Sequence, residues 1–232
     1  MGALSSGPGE PAAGFRGWIS VPAAPAKPGK QLRPAILSAL VLTALTDGAF
    51  PLLLFAIASP LFPRQANGSL VTRGGVIVGS TLIGQEFTCA EYFHSRPSAA
   101  GSGYDGASSG GANLGPNNPK LMSGAPGFAG IRRLAEEFRE RSGLSPGASV
   151  PIDAVTRSAS GLDPHISPDN AALQIPRVAR ARGLSEEAVR RLVKAHTEGP
   201  QLGFLGSTRV SVLELNLALD QLANSRTPRT SP

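Results

Sequence analysis

The chain has 232 residues and a net charge of +6, from 22 basic and 16 acidic side chains, and it contains a single cysteine, Cys89. The basic residues are scattered and aromatic residues make up only 5% of the chain, so the concentrated basic and stacking face of a nucleic-acid-binding protein is not expected. One cysteine excludes an internal disulfide and leaves the redox compartment open. We expect Cys89 to be a small buried residue.

The first thirty residues are rich in Gly, Pro, Ala and Ser. They show neither the 3.6-residue period of a helix nor the alternation of a strand. This composition predicts a disordered N-terminal tail over residues 1–30.

An apolar run from Pro34 to Pro63 follows, and it carries a single charge, Asp47. A helix of that length would be about 45 Å long, which exceeds the ~30 Å hydrocarbon core of a bilayer but is too short for two crossings. The sequence therefore predicts one transmembrane helix over residues 31–63, embedded in a lipid bilayer of the cell membrane.

Basic residues flank the two ends of this run unequally. Lys27, Lys30 and Arg33 stand directly before it, whereas Arg64 and Arg73 follow more sparsely. The positive-inside rule then places the N-terminus in the cytoplasm and the remainder of the chain outside.

A cleaved signal peptide is the alternative, because Ala56-Ile57-Ala58 before Ser59 resembles a small-residue cleavage site. The apolar region of a signal peptide has about 7 to 15 residues. The apolar stretch that precedes Ser59 is longer than that, which favours an uncleaved anchor.

One face of the predicted helix combines small and polar residues, namely Ala39, Thr43 and Asp47 at four-residue spacing, with Pro51 next in the series. Small residues favour close packing of membrane helices, so these four positions form a predicted interface with a partner helix. A charge at mid-membrane costs at least ~2.5 kcal/mol. Asp47 is therefore expected to face a partner or a water-filled crevice, or to be protonated; the alternative is a position near the membrane interface. Pro51 lacks an N–H and should bend the helix just beyond itself.

The remainder of the chain begins with turn-like sequence and a short predicted strand, Val76 to Val78, between glycines. Residues 91–119 are then dominated by Gly, Ser, Asn and Pro without an apolar period. Long irregular stretches inside a domain are uncommon unless they are functional or disordered. We expect this one to be an ordered surface built on turns.

Helical periodicity predicts an amphipathic helix over residues 127–141 that ends at Gly143. A second helix is predicted to start at Pro168 and to end at Gly183, with Pro176 kinking or interrupting it.

Ser185 is a predicted N-cap for a helix that reaches His196. A strand over residues 209–213 should run into a C-terminal helix, and residues 223–232 should form a disordered tail. These elements predict an α+β protein, in which one N-terminal transmembrane helix is followed by a single mixed α/β extramembrane domain over residues 64–222.

Residues 106–110 match the G-x-S-x-G pattern of a serine hydrolase, with Asp163 and His165 or His196 downstream. That motif requires a buried strand before the serine and a helix after it, and the flanks here are rich in glycine. The three histidines of the chain lack the spacing of zinc ligands. We therefore expect neither a catalytic site nor a metal site.

His94-Ser95-Arg96 could orient a phosphate or carboxylate through charge-assisted hydrogen bonds. The chain has no phosphate-binding G-x-x-x-x-G-K-[ST] loop. Any contact with ATP is therefore expected to be partial or shared with another protein.

Eight blocks of sequence follow one another in a recognisable order: Leu32–Pro34, Phe62–Leu70, Leu82–Gln85, Tyr92–Ala99, Ser108–Leu114, Ser158–Asp163, Gln174–Ala179 and Glu214–Asp220. In this order the chain resembles KdpC, the C-subunit family of the Kdp potassium-transporting ATPase, over residues 31–222. Each block is short, and their number and order make the resemblance specific.

The resemblance implies a non-catalytic subunit of a membrane complex. The partners would be a channel-like A subunit, a P-type ATPase B subunit and a small F peptide. The chain would have no cofactor of its own, and it would contact ATP only in complex with the B subunit. KdpC proteins are described both as assembling or stabilising the complex and as catalytic chaperones that raise the ATP affinity of the B subunit.

A domain outside the cell would have no ATP available, which favours the structural role or one at the path by which potassium enters. Under the chaperone alternative, Gln174 and Arg177 are the candidate nucleotide or partner contacts. The resemblance also marks a surface of family residues, His94, Arg96, Asn113 and Asp163. Three positions depart from the usual family pattern, with Asp47 in place of a small residue, Phe50 in place of Tyr, and Ser95 in place of Gly.

Overall fold

The structure is a computed structural model, which describes residues 28–226. The chain divides into two compact units, Met1–Leu61 and Phe62–Pro232. Helices take in residues 28–30 and 223–226, which the sequence assigned to disordered tails. The rest of both predicted tails lies outside the described residues.

The described part of the first unit is one continuous helix. It consists of α1 (Pro28–Thr43), a π-helical turn (Ala44–Ala49) and α2 (Phe50–Leu61). An 18-residue part of its stretch Gln31–Leu61 has a mean hydropathy of 2.0, and by length and composition the stretch is able to cross a membrane. The predicted apolar helix is thus confirmed as a candidate membrane span, Gln31–Leu61, within a helix that runs from Pro28 to Leu61.

The π-helical turn is explained by the proline that follows it. The Phe50 N–H donates to the carbonyl of Leu45, five residues earlier. Pro51 has no N–H, and its ring crowds the carbonyl four residues earlier, that of Asp47; an extra residue in the turn relieves this crowding. The departure from α geometry therefore lies before Pro51, and the sequence-based expectation had placed the distortion beyond it.

The second unit opens with α3 (Pro63–Ala66) and an antiparallel hairpin of β1 (Leu70–Arg73) and β2 (Val76–Ser80). The register shifts between Val71 and Thr72. The predicted strand over residues 76–78 is confirmed as part of β2.

Residues 81–118 contain no helix or strand, yet they are firmly held. Ser98 Oγ donates to the carbonyl of Gly161 at 2.6 Å and accepts from the backbone N–H groups of Ala100 and Tyr104 at 3.1 and 2.8 Å. Phe93 and Ala100 are fully buried. The predicted turn-built surface is therefore ordered, as expected.

A short helix, α4 (Pro119–Ser123), precedes α5 (Ile131–Ser142). Helix α5 starts later than residue 127 because Phe128 forms a β-bridge with Ala125. Gly143, with φ of +68°, ends α5 in the left-handed conformation. A single 3₁₀ turn follows at Ile152–Ala154.

Strand β3 (His165–Ile166) leads into α6 (Pro168–Arg182) and α7 (Glu186–Ala195). The predicted Ser185 cap is confirmed, since its side chain accepts from the N–H of Ala188. Helix α6 runs through Pro176 without interruption. The carbonyl that Pro176 leaves without a partner belongs to Ala172, which is exposed, so water can satisfy it.

The last elements are β4 (Thr197–Glu198), β5 (Arg209–Ser211) and α8 (Val212–Arg226). Strand β5 is shorter than predicted because α8 begins directly after Ser211. It lies at the centre of an antiparallel three-stranded sheet of order β3-β5-β4. This mixture of helices and small sheets confirms the α+β class.

The core joins α6, α7, α8 and the small sheet around one buried residue of the irregular segment, Phe93. Its fully or nearly fully buried members include Phe93, Ile166, Ile175, Val178, Val189, Val210, Leu215 and Leu219. A second cluster packs α5 against the 3₁₀ turn through Leu134, Phe138, Ala154 and Val155.

Cys89 is exposed, so the expectation of a buried cysteine is wrong. It lies in a surface turn, and its backbone carbonyl is a hydrogen-bond acceptor. That carbonyl accepts from the backbone N–H of Tyr92 at 3.2 Å and lies 3.0 Å from His94 Nε2.

Candidate functional site: an arginine-lined cleft

A cleft of about 290 Å³ lies between the irregular segment, α5 and α6. It brings together three of the predicted site residues, His94, Gln174 and Arg177, although α6 is far from His94 in sequence. Arg141 and Arg157 line the same cleft. The geometry around these residues decides what each of them is free to do.

Gln174, which is 2% exposed, uses all of its hydrogen-bonding capacity inside the protein. Its Oε1 accepts from the His94 backbone N–H at 2.8 Å and from Arg177 Nη2 at 2.7 Å. Its Nε2 donates to the His94 carbonyl at 3.1 Å and to Asn170 Oδ1 at 2.8 Å. A primary amide has two acceptor positions and two donor hydrogens, so the side chain of Gln174 has none left for a ligand.

Asn216 on α8 pairs in the same way with the backbone of Phe93, the residue before His94. Its Oδ1 accepts from the Phe93 N–H at 2.8 Å and its Nδ2 donates to the Phe93 carbonyl at 2.9 Å. Two buried amides thus bind the backbone of Phe93 and His94 as a neighbouring strand would. Buried backbone groups need partners, and these amides supply them where no strand exists.

Arg177 is anchored to the same segment. Its Nη1 donates to the carbonyls of Ala90 and Tyr92 at 2.6 and 2.9 Å, whereas its Nε is buried without a partner. Burial, and then the nearby charge of Arg141, lowers the pKa of Arg177 to about 10.

The cleft has a cationic lining. Within residues 28–226, Arg141, Arg157 and Arg177 form no ion pair with a carboxylate. Arg157 stacks on the Phe128 ring at 4.0 Å, and burial lowers its pKa. Glu86 and Glu137 also line the cleft. The carboxylate of Glu137 binds Arg133 at 2.7 Å, which leaves Glu86 as the carboxylate that opposes the arginines. Three guanidinium groups without carboxylate partners are suited to an anionic ligand.

The two titratable rings in the cleft are neutral near pH 7. Burial and then Arg177 lower the pKa of His94 to about 4. Its neutral ring, protonated at Nε2, donates to the Cys89 carbonyl. Burial and then Glu86 raise the pKa of Tyr104 to about 12. Neither ring is poised for proton transfer at neutral pH.

Arg96 and Asp163 lie elsewhere, in a separate depression that His165 also lines. Arg96 Nη1 binds Asp163 Oδ2 at 2.8 Å, and Asp163 Oδ1 accepts from the His165 N–H at 3.0 Å. Burial opposes ionisation of Asp163, but the hydrogen bonds from His165 and Arg96 outweigh it and lower the pKa to about 2. Since His94 and Arg96 line different depressions, they do not form the shared anion site that their sequence spacing suggested.

Asn113 lies at a third, shallow depression beside Gly111 and Ala159. Its backbone is in the left-handed region, with φ of +49°. Gly111 is required there, because a Cβ would lie 2.8 Å from the Ala159 carbonyl oxygen. The four family residues therefore occupy three places and not one surface.

The predicted membrane-helix interface, comprising Ala39, Thr43, Asp47 and Pro51, spans α1, the π-helical turn and the start of α2, and all four positions are exposed. The only side-chain hydrogen bond to Asp47 within the described part of the chain comes from Thr46. Thr46 Oγ1 lies 3.2 Å from Asp47 Oδ1 and 2.8 Å from the Leu42 carbonyl. The role of Ala39, Thr43, Asp47 and Pro51 as an interface with a partner helix stays a prediction.

Sequence reasoning missed Arg141, Arg157, Asn216 and the part played by Asp220. Asp220 accepts from Arg73 at 2.6 Å and from Arg182 at 2.8 Å, so it connects β1, α6 and α8. Asn216 shares a helix face with the apolar residues Val212, Leu213 and Leu219, and a polar residue on such a face was a usable signal. The cleft arginines had no such signal, because nothing local shows that they converge.

The family described as "KdpC: K+-transporting ATPase, c chain" matches residues 32–221. A "Potassium-transporting ATPase KdpC subunit" of Rhodopseudomonas palustris (strain TIE-1) is 49% identical over 206 residues, which cover 84% of this chain and 98% of the relative. Proteins of the same name from Koribacter versatilis and Mycobacterium bovis (strain BCG / Pasteur 1173P2) are 48% and 49% identical, over 86% and 83% of this chain and 99% of each relative. The chain therefore belongs to the KdpC family, the c chain of the K+-transporting ATPase.

Proposed function

We propose that the chain is a non-catalytic subunit that assembles and stabilises the potassium-transporting ATPase at the membrane. The observation that carries this proposal is the helix Gln31–Leu61, whose apolar part is not buried against any of the described residues. Such a surface is covered by lipid and by other membrane helices. The partners are the channel-like A subunit, the ATP-hydrolysing B subunit and the small F peptide.

A pull-down tests this role. The tagged chain is purified in mild detergent from membranes of potassium-starved cells, with an unrelated single-pass protein that carries the same tag as the control. We expect the A and B subunits to co-purify with the tagged chain and not with the control protein. Recovery of the folded chain without either subunit would contradict the proposal.

The proposal includes an orientation, with the N-terminus in the cytoplasm and the second unit outside. Lys30 and Arg33 precede the apolar run Pro34–Pro63 and support this orientation; Lys27, the third residue of that argument, lies outside the described residues. Cys89 offers a direct test, because it is exposed and is the single cysteine of the chain. A membrane-impermeant maleimide should label it in intact cells, and Cys89→Ser should abolish the signal. Labelling only after permeabilisation would show the opposite orientation, with the second unit in the cytoplasm.

A second candidate function is that of a catalytic chaperone which raises the ATP affinity of the B subunit. The three arginines of the cleft favour it, since guanidinium groups bind phosphate oxygens in pairs. The phosphate contacts would come from Arg141, Arg157 and Arg177. Gln174 would act only by holding His94 and Arg177 in place, because its own donors and acceptors are occupied.

Arg141→Gln separates the two functions, with the exposed Arg132→Gln on the same helix as the matched control. Under the chaperone function, the first variant raises the KM for ATP of the purified complex and leaves subunit recovery unchanged. Equal KM values for both variants, together with labelling of Cys89 from outside, would eliminate the chaperone function and leave the assembly role.

A further inference from the structure

The loop between β4 and β5 presents apolar side chains to solvent at its tip. Leu202 is 82% and Phe204 is 74% exposed, and Leu205 beside them is about half exposed. We call residues 200–205 the apolar tip. Single exposed hydrophobic residues are normal on protein surfaces, whereas a cluster of three on one turn is a candidate interaction site.

The exposure does not come from a loose loop, because the turn is closed by its own backbone. Gln201 and Leu205 exchange both hydrogen bonds, at 2.8 and 2.9 Å, and the Gly203 N–H donates to the Pro200 carbonyl at 3.1 Å. The tip is thus a small, preorganised knob, and preorganised groups lose little entropy when they bind.

Leu202 is also held in an unfavourable backbone conformation. Its φ is +54°, in the left-handed region that glycine tolerates and branched side chains avoid. Glycine would suit the turn better, and Gly203 next to it already has φ of +83°. The exposed Leu202 side chain adds little packing to the fold, and backbone strain of this kind clusters at binding sites.

The charge pattern distinguishes between possible binding partners. No charged residue occurs from Gly199 to Thr208, and at the base of the loop Arg209 Nη2 binds Glu198 Oε2 at 2.8 Å. A loop that binds the lipid surface normally combines apolar residues with free basic residues that attract anionic headgroups. Here Arg209 is neutralised, and an uncharged apolar pocket on a protein is the better match.

The size of the tip argues for a partner that is already held nearby. A stable complex between two free proteins buries about 800 Å² on each side, which three side chains cannot supply. A second copy of the chain docking through this tip alone would therefore not persist. Within a membrane complex, other contacts hold the subunits together, and a small knob then binds at high effective concentration.

We propose that the apolar tip, residues 200–205, inserts Leu202 and Phe204 into an uncharged apolar pocket on an extramembrane surface of another subunit of the same ATPase. This inference rests on the proposed assembly function. It adds the contact through which the second unit is fixed against its partner.

Leu202→Gly provides the main test, because fold and binding should respond in opposite directions. Glycine relieves the positive φ, so the unfolding temperature of the chain should stay the same or rise. Loss of the side chain should weaken the association about tenfold, as for an interface hot spot, and lower the recovery of the other subunits. Phe204→Ser should lower recovery in the same way.

Photocrosslinking identifies what the tip contacts. A photoreactive phenylalanine at position 204 of the full chain should crosslink to one other ATPase subunit in cells, and one at Glu136, exposed on α5, serves as the control. Crosslinks only to lipid or to a second copy, or full subunit recovery with Leu202→Gly, would overturn the proposal. Failure of the unmodified chain to recover any subunit would instead refute the assembly function, so the two failures are distinguishable.

Discussion

Gln174 and His94 are joined by a reciprocal pair of hydrogen bonds, in which the amide of one side chain binds both backbone groups of the other residue. The His94 N–H donates to Gln174 Oε1 at 2.8 Å, and Gln174 Nε2 donates to the His94 carbonyl at 3.1 Å. This pairing replaces a strand neighbour for a segment that has none. It also assigns Gln174 a positioning role at the edge of the cleft.

Gln174→Ala should therefore destabilise the second unit by about 3 kcal/mol, since it leaves buried polar groups of His94 and Arg177 without partners. Gln221→Ala, at an exposed position of α8, should change stability by no more than about 0.5 kcal/mol. Urea unfolding of the full chain in detergent measures both. Equal stabilities would show that the amide pairing is dispensable.

Much of the helical framework could be predicted because its signals are local. Gly143 and Gly183 end helices in the left-handed conformation, and Ser185 caps α7, each within one turn of the residues it affects. Strands β3 and β4 have only two residues each, too few for an alternating pattern. They exist because β5 lies between them, which is tertiary information.

The cleft shows the same limit for function. Gln174 and Arg177 could be selected from one block of sequence, but Arg141 and Arg157 come from other elements with no shared pattern. Their meeting depends on how α5 packs against the 3₁₀ turn and against Leu173 of α6, around Phe138 and Ala154. The closeness of His94 and Arg96 in sequence suggested a shared anion site, but their side chains line different depressions.

His94 should make stability fall as the solution is acidified from pH 6.5 to 4. Its pKa is about 4 in the folded chain against 6.5 ordinarily, so the unfolded chain binds the extra proton in this window and stability rises with pH. After allowance for solvent screening, the loss is up to about 2 kcal/mol. His94→Gln should flatten this part of the profile, measured by urea midpoints. Thr88→Val, in the same cleft and without a titratable group, should retain it.

Asp163 should affect the stability of the folded chain at lower pH than His94 does. Its pKa is lowered to about 2 from 3.8, so its contribution is complete above pH 3.8 and is lost as the pH falls toward 2. With solvent screening the contribution is about 1 kcal/mol. Asp163→Asn should remove the dependence between pH 4 and 2, whereas Ser207→Ala, which borders the same depression, should preserve it. A profile unchanged by Asp163→Asn would refute this assignment.

Asp47 lies in the π-helical turn, where the ring of Pro51 crowds its backbone carbonyl. Among the described residues, its carboxylate accepts a side-chain hydrogen bond only from the neighbouring Thr46. If this face meets a partner helix, Asp47→Leu should lower recovery of the A and B subunits several-fold, because a polar interhelical contact is replaced by a bulky apolar group. Asp47→Asn keeps a hydrogen-bonding group of the same size and should retain most of the recovery.

The control for this face is Ser38→Leu. Ser38 lies five residues before Thr43, which at 3.6 residues per turn places it about 140° away around the helix. Its hydroxyl bonds the Ala35 carbonyl of its own helix at 3.0 Å. Subunit recovery with this variant should match that of the unaltered chain. Equal recovery with Asp47→Leu would show that the face carrying Ala39, Thr43 and Asp47 meets lipid, and that the second unit supplies the contacts that hold the complex together.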